Sequence, residues 1–123
     1  MRLLVDTHVA IWWLSGDRHL SRSARAAIER ADQAFLSPVS LWEIFLKQDV
    51  GRLELPLGFV DALQADFVEL PLTFKHALEG RALPRLHRDP FDRMLIAQAK
   101  AEGLTIVTTD ETIPRYGVPV IPA

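Results

Sequence analysis

The segment DPFDRMLIAQAKAEGLTIVTTD, residues 89–110, predicts a helix followed by a strand, and it carries the aspartates Asp92 and Asp110. Asp89 can cap a helix and Pro90 suits its first position, so a helix is predicted to begin here. Gly103 ends that helix, because glycine adopts the left-handed conformation found after helix ends. The apolar run 104–107 then predicts a buried strand, and Asp110 follows it after two threonines.

The rest of the chain repeats this alternation of short apolar strands and helices. Strands are predicted at 2–5, 34–36, 67–70 and 118–121, in addition to 104–107. Helices are predicted at 7–15 (capped by Thr7), 21–32, 38–50, 59–65, 73–80 and 90–102; residues 81–89 form an arginine-rich loop, and 108–116 an irregular segment with one helical turn. Such alternation favours a parallel sheet covered by helices on both faces. No repeat or linker interrupts it, so residues 1–123 are predicted to form a single domain.

Composition narrows the class of protein further. The 123 residues are 49% hydrophobic and 24% charged, which is a globular profile. The absence of cysteine excludes disulfides, thiolate zinc sites and cysteine nucleophiles, and it suits a reducing compartment. Apolar runs are too short for a membrane span, and Met1 leads directly into the first strand. We therefore expect a cytoplasmic protein without a signal peptide or membrane association.

Four acidic residues lie where a ligand site is expected. Asp6 and Asp110 each follow a strand, and ligands of parallel sheets gather at the carboxyl ends of strands. Asp92 lies in the first turn of helix 90–102, on the same face as its apolar residues. Glu43 lies mid-helix beside the apolar residues Val39, Leu46 and Val50. These positions predict that the four carboxylates converge.

Each of the aspartates also has a structural explanation when it is taken alone. Asp6 and Asp110 could cap helical turns, and Asp92 could complement a helix dipole. Glu43 gains nothing from capping, and a carboxylate beside apolar residues is costly unless it is paired or bound to a metal. Four carboxylates within about 6 Å would repel one another by roughly 3 kcal/mol per pair. Hard divalent ions such as Mg²⁺ or Mn²⁺ relieve that repulsion and support phosphodiester hydrolysis.

Four sequence blocks resemble the PIN-domain family, and in particular its VapC-type toxins. They are LLVDTHVAIWWL (3–14), PVSLWEIFLK (38–47), HRDPFDRMLIAQA (87–99) and IVTTD…IPRYGVPVI (106–121). The resemblance runs from end to end. It implies a three-layer α/β/α sandwich around a central parallel sheet, and a Mg²⁺- or Mn²⁺-dependent endoribonuclease that acts as the toxin of a toxin–antitoxin pair.

The resemblance also assigns roles to individual residues. The catalytic and metal-binding acids it implies are Asp6, Glu43, Asp92 and Asp110. Thr108 is a supporting hydroxyl and Thr7 a second supporting residue. Asp89 either caps the helix or contacts the metal-binding acids without binding the metal itself. By analogy with the family, a small antitoxin protein should cover this site.

Arginine and apolar residues suggest further contacts. Arginine outnumbers lysine eleven to three, and arginine matches phosphate geometry. The arginines expected to position the RNA backbone are Arg85, Arg88 and Arg93, with a second cluster at Arg18, Arg22 and Arg25. Helix 38–50 has a second apolar stripe at Leu41, Ile44 and Phe45. A helix that is apolar on two sides is buried on two sides, so we expect a homodimer or antitoxin docking.

Three other functions fit part of the sequence pattern. The main alternative is a catalytically inactive PIN-like module that binds RNA or protein, although a pure binder gains nothing from clustered acids. A receiver domain would need a lysine after its late strand, where Val107 leads into Thr108. A D-x-D phosphatase would need a second aspartate where His8 stands. His8 is interpreted as a structural hydrogen-bonding residue, and His87 as a loop residue within reach of substrate.

Overall fold

The computed structural model describes residues 1–123, and its centre is one sheet of five parallel strands. The strands are β1 (Arg2–Val5), β2 (Gln33–Leu36), β3 (Val68–Glu69), β4 (Thr105–Thr108) and β5 (Val120–Pro122). Their order across the sheet is β3-β2-β1-β4-β5. β1 is therefore central, with Leu4 paired to Phe35 on one side and to Ile106 on the other.

Six helices and one short 3-10 turn connect the strands. The helices are α1 (Thr7–Ser15), α2 (Arg22–Arg30), α3 (Pro38–Asp49), α4 (Phe59–Asp66), α5 (Phe74–Ala82) and α6 (Pro90–Glu102); the 3-10 turn is Ile113–Tyr116. Local sequence explains their limits. The Ser37 hydroxyl accepts from the Val39 backbone N–H at the start of α3, and Gly103 ends α6 with a φ of 68°.

Alternating side chains of the strands separate two hydrophobic cores. Leu3 and Val5 of β1 pack in the core formed with helices α1 to α4, and Leu4 packs in the core formed with α6. Successive strand residues point to opposite faces, so a single four-residue strand contributes to both cores. α5 packs against α6. The prediction of a three-layer α/β/α sandwich with a central parallel sheet is confirmed.

Three local predictions need correction. The cap of α1 is Asp6 rather than Thr7, since the Asp6 side chain accepts from the Val9 backbone N–H. α5 continues two residues past its predicted end, to Ala82. The third concerns which side of α3 packs inside the chain: Ile44 is buried, whereas Leu46 and Val50 are exposed and open to a partner. None of the helices has the length and apolar composition needed to cross a membrane.

Candidate acidic site

Two of the predicted acids meet at the carboxyl edge of the sheet. β1 and β4 are adjacent, with Val5 paired to Val107, so Asp6 and Asp110 leave neighbouring strands at the same edge. The Thr108 hydroxyl joins them, because it donates to Asp6 Oδ2 and accepts from the Asp110 backbone N–H at 3.0 Å. Thr108 therefore contacts both of these acids, as a supporting hydroxyl would.

Asp6 is a buried carboxylate whose orientation is set on both sides. Its Oδ1 accepts from the Val9 backbone N–H at 2.9 Å, and its Oδ2 from Thr108. Only 6% of the residue is exposed. Burial raises the pKa of Asp6 and outweighs the hydrogen bonds from Thr108 and Val9, which lower it. Capping α1 therefore accounts for one of its oxygens and not for its burial.

Glu43 enters the site from α3 and is buried with two polar partners. The Thr7 hydroxyl donates to Glu43 Oε1 at 2.7 Å, and Lys47 Nζ lies 3.1 Å from Oε2, one helical turn along α3. The buried face of this helix carries Ser40, Glu43 and Ile44. Glu43 is therefore held by polar contacts on the buried face of α3, away from its open side as predicted.

All four acids line one cavity of about 220 Å³ that has no hydrophobic residue in its wall. The lining residues are Asp6, Thr7, His8, Glu43, Asp89, Asp92, Thr109 and Asp110. Asp89 caps α6, since its Oδ1 accepts from the Phe91 backbone N–H at 2.9 Å. Burial and the neighbouring charges raise the pKa of Asp92 to about 7. Burial contributes most, followed by the charge of Asp89, and Asp6 and Asp110 add to the effect.

His87 bridges two of the carboxylates. Its Nε2 lies 2.7 Å from Asp110 Oδ2 and 3.1 Å from Asp92 Oδ2. Its Nδ1 accepts from the Asp89 backbone N–H at 3.1 Å, so the hydrogen of a neutral ring is on Nε2 and points at the acids. Burial lowers the pKa of His87, but the hydrogen bond and charge of Asp110 outweigh it and leave the pKa raised. Burial conversely favours the neutral form of Asp110, but His87 and the Thr112 backbone N–H leave its pKa lowered.

The loop that carries His87 is fastened to the core below it. Tyr116 Oη accepts from the backbone N–H groups of Leu86 and His87, at 3.1 and 2.8 Å. Arg93 donates to the same oxygen and to the carbonyl oxygens of Gly80, Leu83 and Pro84. The guanidinium of Arg93 therefore anchors the loop.

An arginine-lined cleft of about 650 Å³ lies beside the acids, and His87 in its wall contacts Asp92 and Asp110. Its charged lining residues are Arg81, Arg85, Arg88 and Arg93. Arg85 and Arg88 are exposed and, unlike Arg93, make no hydrogen bond or salt bridge within the chain. Their side chains are thus available to an anionic ligand.

The donor set fits a hard divalent ion. The cavity wall offers carboxylate and hydroxyl oxygens and no sulfur, which is the ligand chemistry that Mg²⁺ and Mn²⁺ prefer. Nε2 of His87 and oxygens of Asp92 and Asp110 also lie within 4.8 Å of one another, close enough to share one ion.

Sequence reasoning located the four acids but missed two of their partners. His87 was expected at most to touch substrate, yet it contacts two of the acids. Its position two residues before the capping residue of α6 was the available signal, since it keeps the ring near the first turn that carries Asp92. The contact between Lys47 and Glu43 could have been predicted from their spacing, because residues four apart are neighbours on the surface of a helix. His8 is exposed at the rim of the cavity and makes no side-chain hydrogen bond, so its interpretation as a structural hydrogen-bonding residue was wrong.

Comparison with known proteins gives a family and a close structural likeness. The PIN domain model matches residues 3–119. The chain is 32% identical over 121 residues to Ribonuclease VapC22 of Mycobacterium tuberculosis, a match that covers 95% of this chain and 93% of that protein.

Solved structures share the fold over nearly the whole chain. A chain of VapBC2 from Rickettsia felis, bound to a DNA fragment from its promoter, superposes with a TM-score of 0.75 at 14% identity and 98% coverage of both chains. A chain of a toxin–antitoxin complex from Klebsiella pneumoniae gives a TM-score of 0.68 at 21% identity, covering 98% of this chain and 96% of the other. At these identities the likeness establishes the fold.

Proposed function

This chain belongs to the PIN domain family, and we propose that it is an endoribonuclease that hydrolyses RNA phosphodiester bonds with a divalent metal ion. The observation that carries the proposal is the convergence of four carboxylates, from four separate parts of the chain, on one polar cavity. The relative at 32% identity is named as a ribonuclease, which supports RNA as the substrate.

The residues that would hold the ion are Asp6, Glu43, Asp92 and Asp110. We propose Mg²⁺ as the physiological ion, with Mn²⁺ able to replace it. When bound, such an ion polarises the phosphate and stabilises the charge that develops on its oxygens. The remaining polar residues keep the acids in place before substrate arrives: Thr108 orients Asp6, and Thr7 orients Glu43. Such preorganisation lowers the cost of reaching the charged transition state.

The main alternative is a PIN-like module that binds without cutting. An apolar or cationic cavity would serve a pure binder better, because clustered acids repel the RNA backbone and one another. Burial raises the pKa of Asp92 most, and the charges of Asp89, Asp6 and Asp110 raise it further. An enzyme that needs a bound cation has a reason to maintain such a cluster, and a binding module has none.

Incubation of the purified chain with total RNA tests this function. We expect discrete cleavage products in Mg²⁺ or Mn²⁺, none in EDTA, and recovery when the ion is returned. Titration calorimetry on the same samples should show binding of the ion. An RNA pattern that is the same with and without the ion, from a folded protein, would favour the binding module.

Arg85 and Arg88 are proposed to position the RNA backbone in the cleft beside the acids. We expect the double replacement Arg85→Gln/Arg88→Gln to weaken RNA binding for all sequences alike, and to reduce the slope of log K against log salt by roughly 1–2, about one for each lost phosphate contact. Filter binding at several salt concentrations measures this. Arg30→Gln is the matched control, because Arg30 is exposed at the end of α2, on the amino side of β2. Equal slopes for the double variant and wild type would remove these arginines from the interface.

We also propose that the chain is the toxin of a toxin–antitoxin pair. A small antitoxin would seat an apolar segment in the groove between α3 and α4, whose cavity is about 290 Å³. The apolar residues in its wall are Leu36, Leu41, Leu63 and Phe67, beside Pro38. A concave apolar groove suits a single inserted helix or strand of a small partner.

A homodimer is proposed through the exposed stripe of α3. Trp42, Leu46 and Val50 recur every four residues and are 59%, 37% and 69% exposed. A convex stripe on one helix can pack against its own copy around a two-fold axis. We expect sedimentation of the wild type to give a dimer, and Leu46→Glu/Val50→Glu to give a folded monomer. A wild type that sediments as a monomer at micromolar concentration contradicts the dimer.

A further inference from the structure

Three aromatic rings form a row that starts at the rim of the acidic cavity. His8 lines the cavity, and its ring centroid lies 6.0 Å from that of Trp12. His19 stacks on Trp12 with a centroid separation of 5.4 Å and an interplanar angle of 23°. The row (His8, Trp12 and His19) therefore leads away from the acids along α1.

Local structure holds the row in place. His8 and Trp12 are one helical turn apart on α1, so their side chains lie on the same face. Gly16, with a φ of 65°, ends α1 and reverses the chain. His19 is then fixed by Asp17, whose Oδ1 lies 2.6 Å from His19 Nδ1 and accepts from the His19 backbone N–H at 2.8 Å. The outer ring is thus positioned although its side chain is 75% exposed.

Trp12 of the row is partly buried against the core, but it lacks the polar contacts that hold the adjacent tryptophan. Trp13 packs against Phe67, donates its indole N–H to Asp66 at 2.9 Å and lies under the Arg25 guanidinium. The Trp12 indole N–H has no hydrogen-bond partner in the chain, and its ring is flanked by two exposed imidazoles. The exposed rings of the row are His8 and His19, and these are free to stack on a ligand.

Positive charge accompanies the rings. Arg18 precedes His19, and Arg22 opens α2 three residues later; both are exposed. Asp17, the acid nearest in sequence, already pairs with His19. Aromatic rings together with arginines are the combination with which proteins grip unpaired nucleic acid, because every base has a face that can stack and the backbone is anionic.

We propose that the row binds unpaired RNA nucleotides flanking the scissile phosphate, with bases stacked on its rings. The inference rests on RNA being the substrate, as proposed above. RNA is favoured over a protein occupant because the row begins at the cavity where the scissile phosphate must lie. It also lacks the aliphatic residues that make up the stripe of α3. The consequence is a preference for single-stranded segments at the cleavage site.

Binding of single-stranded RNA tests the proposal independently of cleavage. The full chain carrying Asp6→Asn is used, since this change stops cutting and removes one charge that repels phosphate. Fluorescence anisotropy with labelled 12-nucleotide oligomers of uridine, cytidine or adenosine measures the affinity, and a duplex of equal length serves as comparison. We expect His19→Ala to weaken single-strand binding roughly tenfold, with little effect on the duplex. Phe74→Ala at the start of α5 is the control for loss of an exposed ring, because Phe74 is 90% exposed.

A second variant protects the test against a folding artefact. Trp12 is partly buried against the core, so Trp12→Leu is interpreted only if its thermal unfolding matches the parent, whereas His19→Ala changes an exposed residue. Unchanged affinity in His19→Ala and in folded Trp12→Leu overturns the proposal, as does a parent that binds none of the oligomers. Loss of dimer or antitoxin association in His19→Ala, with RNA binding intact, would assign the row to protein. A wild-type protein whose RNA binding depends on the row, but which never cleaves RNA, would exclude the nuclease function and still support the row as an RNA-binding surface.

Discussion

Replacing Asp6 by asparagine is expected to lower the rate of RNA cleavage by roughly 10²–10⁴-fold, because the loss of a ligand to the catalytic ion removes several kcal/mol of transition-state stabilisation. The fold should remain intact. Asparagine is as good a helix cap as aspartate, and its Oδ1 can still accept from the Val9 backbone N–H. Single-turnover cleavage and thermal unfolding, measured on the same preparation, separate the two effects.

Asp61→Asn is the matched control for Asp6→Asn. Asp61 is exposed in the first turn of α4 and makes no hydrogen bond or salt bridge within the chain. The Asp61→Asn change alters the net charge of the protein by the same amount as Asp6→Asn, and we expect this control to cleave RNA at the wild-type rate. Wild-type cleavage by Asp6→Asn itself would exclude this aspartate from the machinery.

Replacing Asp92 by asparagine is expected to stabilise the metal-free protein while it abolishes cleavage. The pKa of Asp92 is raised from 3.8 to about 7, chiefly by burial and by Asp89. An acid of raised pKa holds its proton more tightly in the folded chain than in the unfolded one, so stability falls as pH rises from 3.8 through about 7. The full cost is present only above that range, and asparagine removes it.

The expected gain for Asp92→Asn is roughly 2–4 kcal/mol at pH 8, since the whole difference in pKa corresponds to roughly 4 kcal/mol. This is a rise in Tm on the order of 10 °C, and most of it should be lost at pH 4, close to the pKa of the unfolded carboxyl. Thermal unfolding in EDTA at both values measures it. Added Mg²⁺ should raise the Tm of the wild type more than that of the variant, because ligand binding stabilises the folded state. A variant less stable than the wild type at pH 8 would show that the ionised Asp92 carboxylate does not destabilise the folded protein.

Much of this fold is predictable because its signals are local. A capping residue followed by proline marks the start of both α3 and α6, and Gly103 marks an end; the structure places these limits as expected. The acids were found for the same reason. Asp6 directly follows β1 and Asp110 comes two residues after the end of β4, and parallel strands bring their carboxyl ends to one edge.

The remaining features depend on tertiary contacts that no local pattern encodes. His87 reaches the acids only because Tyr116, twenty-nine residues away, holds the loop against the core. Arg93 belongs to the cleft wall, but its donors are taken by loop carbonyl groups. Periodicity likewise could not tell which stripe of α3 meets the sheet, since Ile44 and Leu46 are equally apolar and only the first is buried.

The central claim is that this acidic cavity cuts RNA. Mapping of RNA 5′ ends in cells after brief induction of the wild-type chain, beside Asp6→Asn, tests it most directly. New ends at one or a few sites, present with the wild type and missing with the variant, are the predicted result, and they would also identify the substrate. Identical maps from two soluble, folded proteins would contradict the claim and leave a PIN-like binding module as the better account.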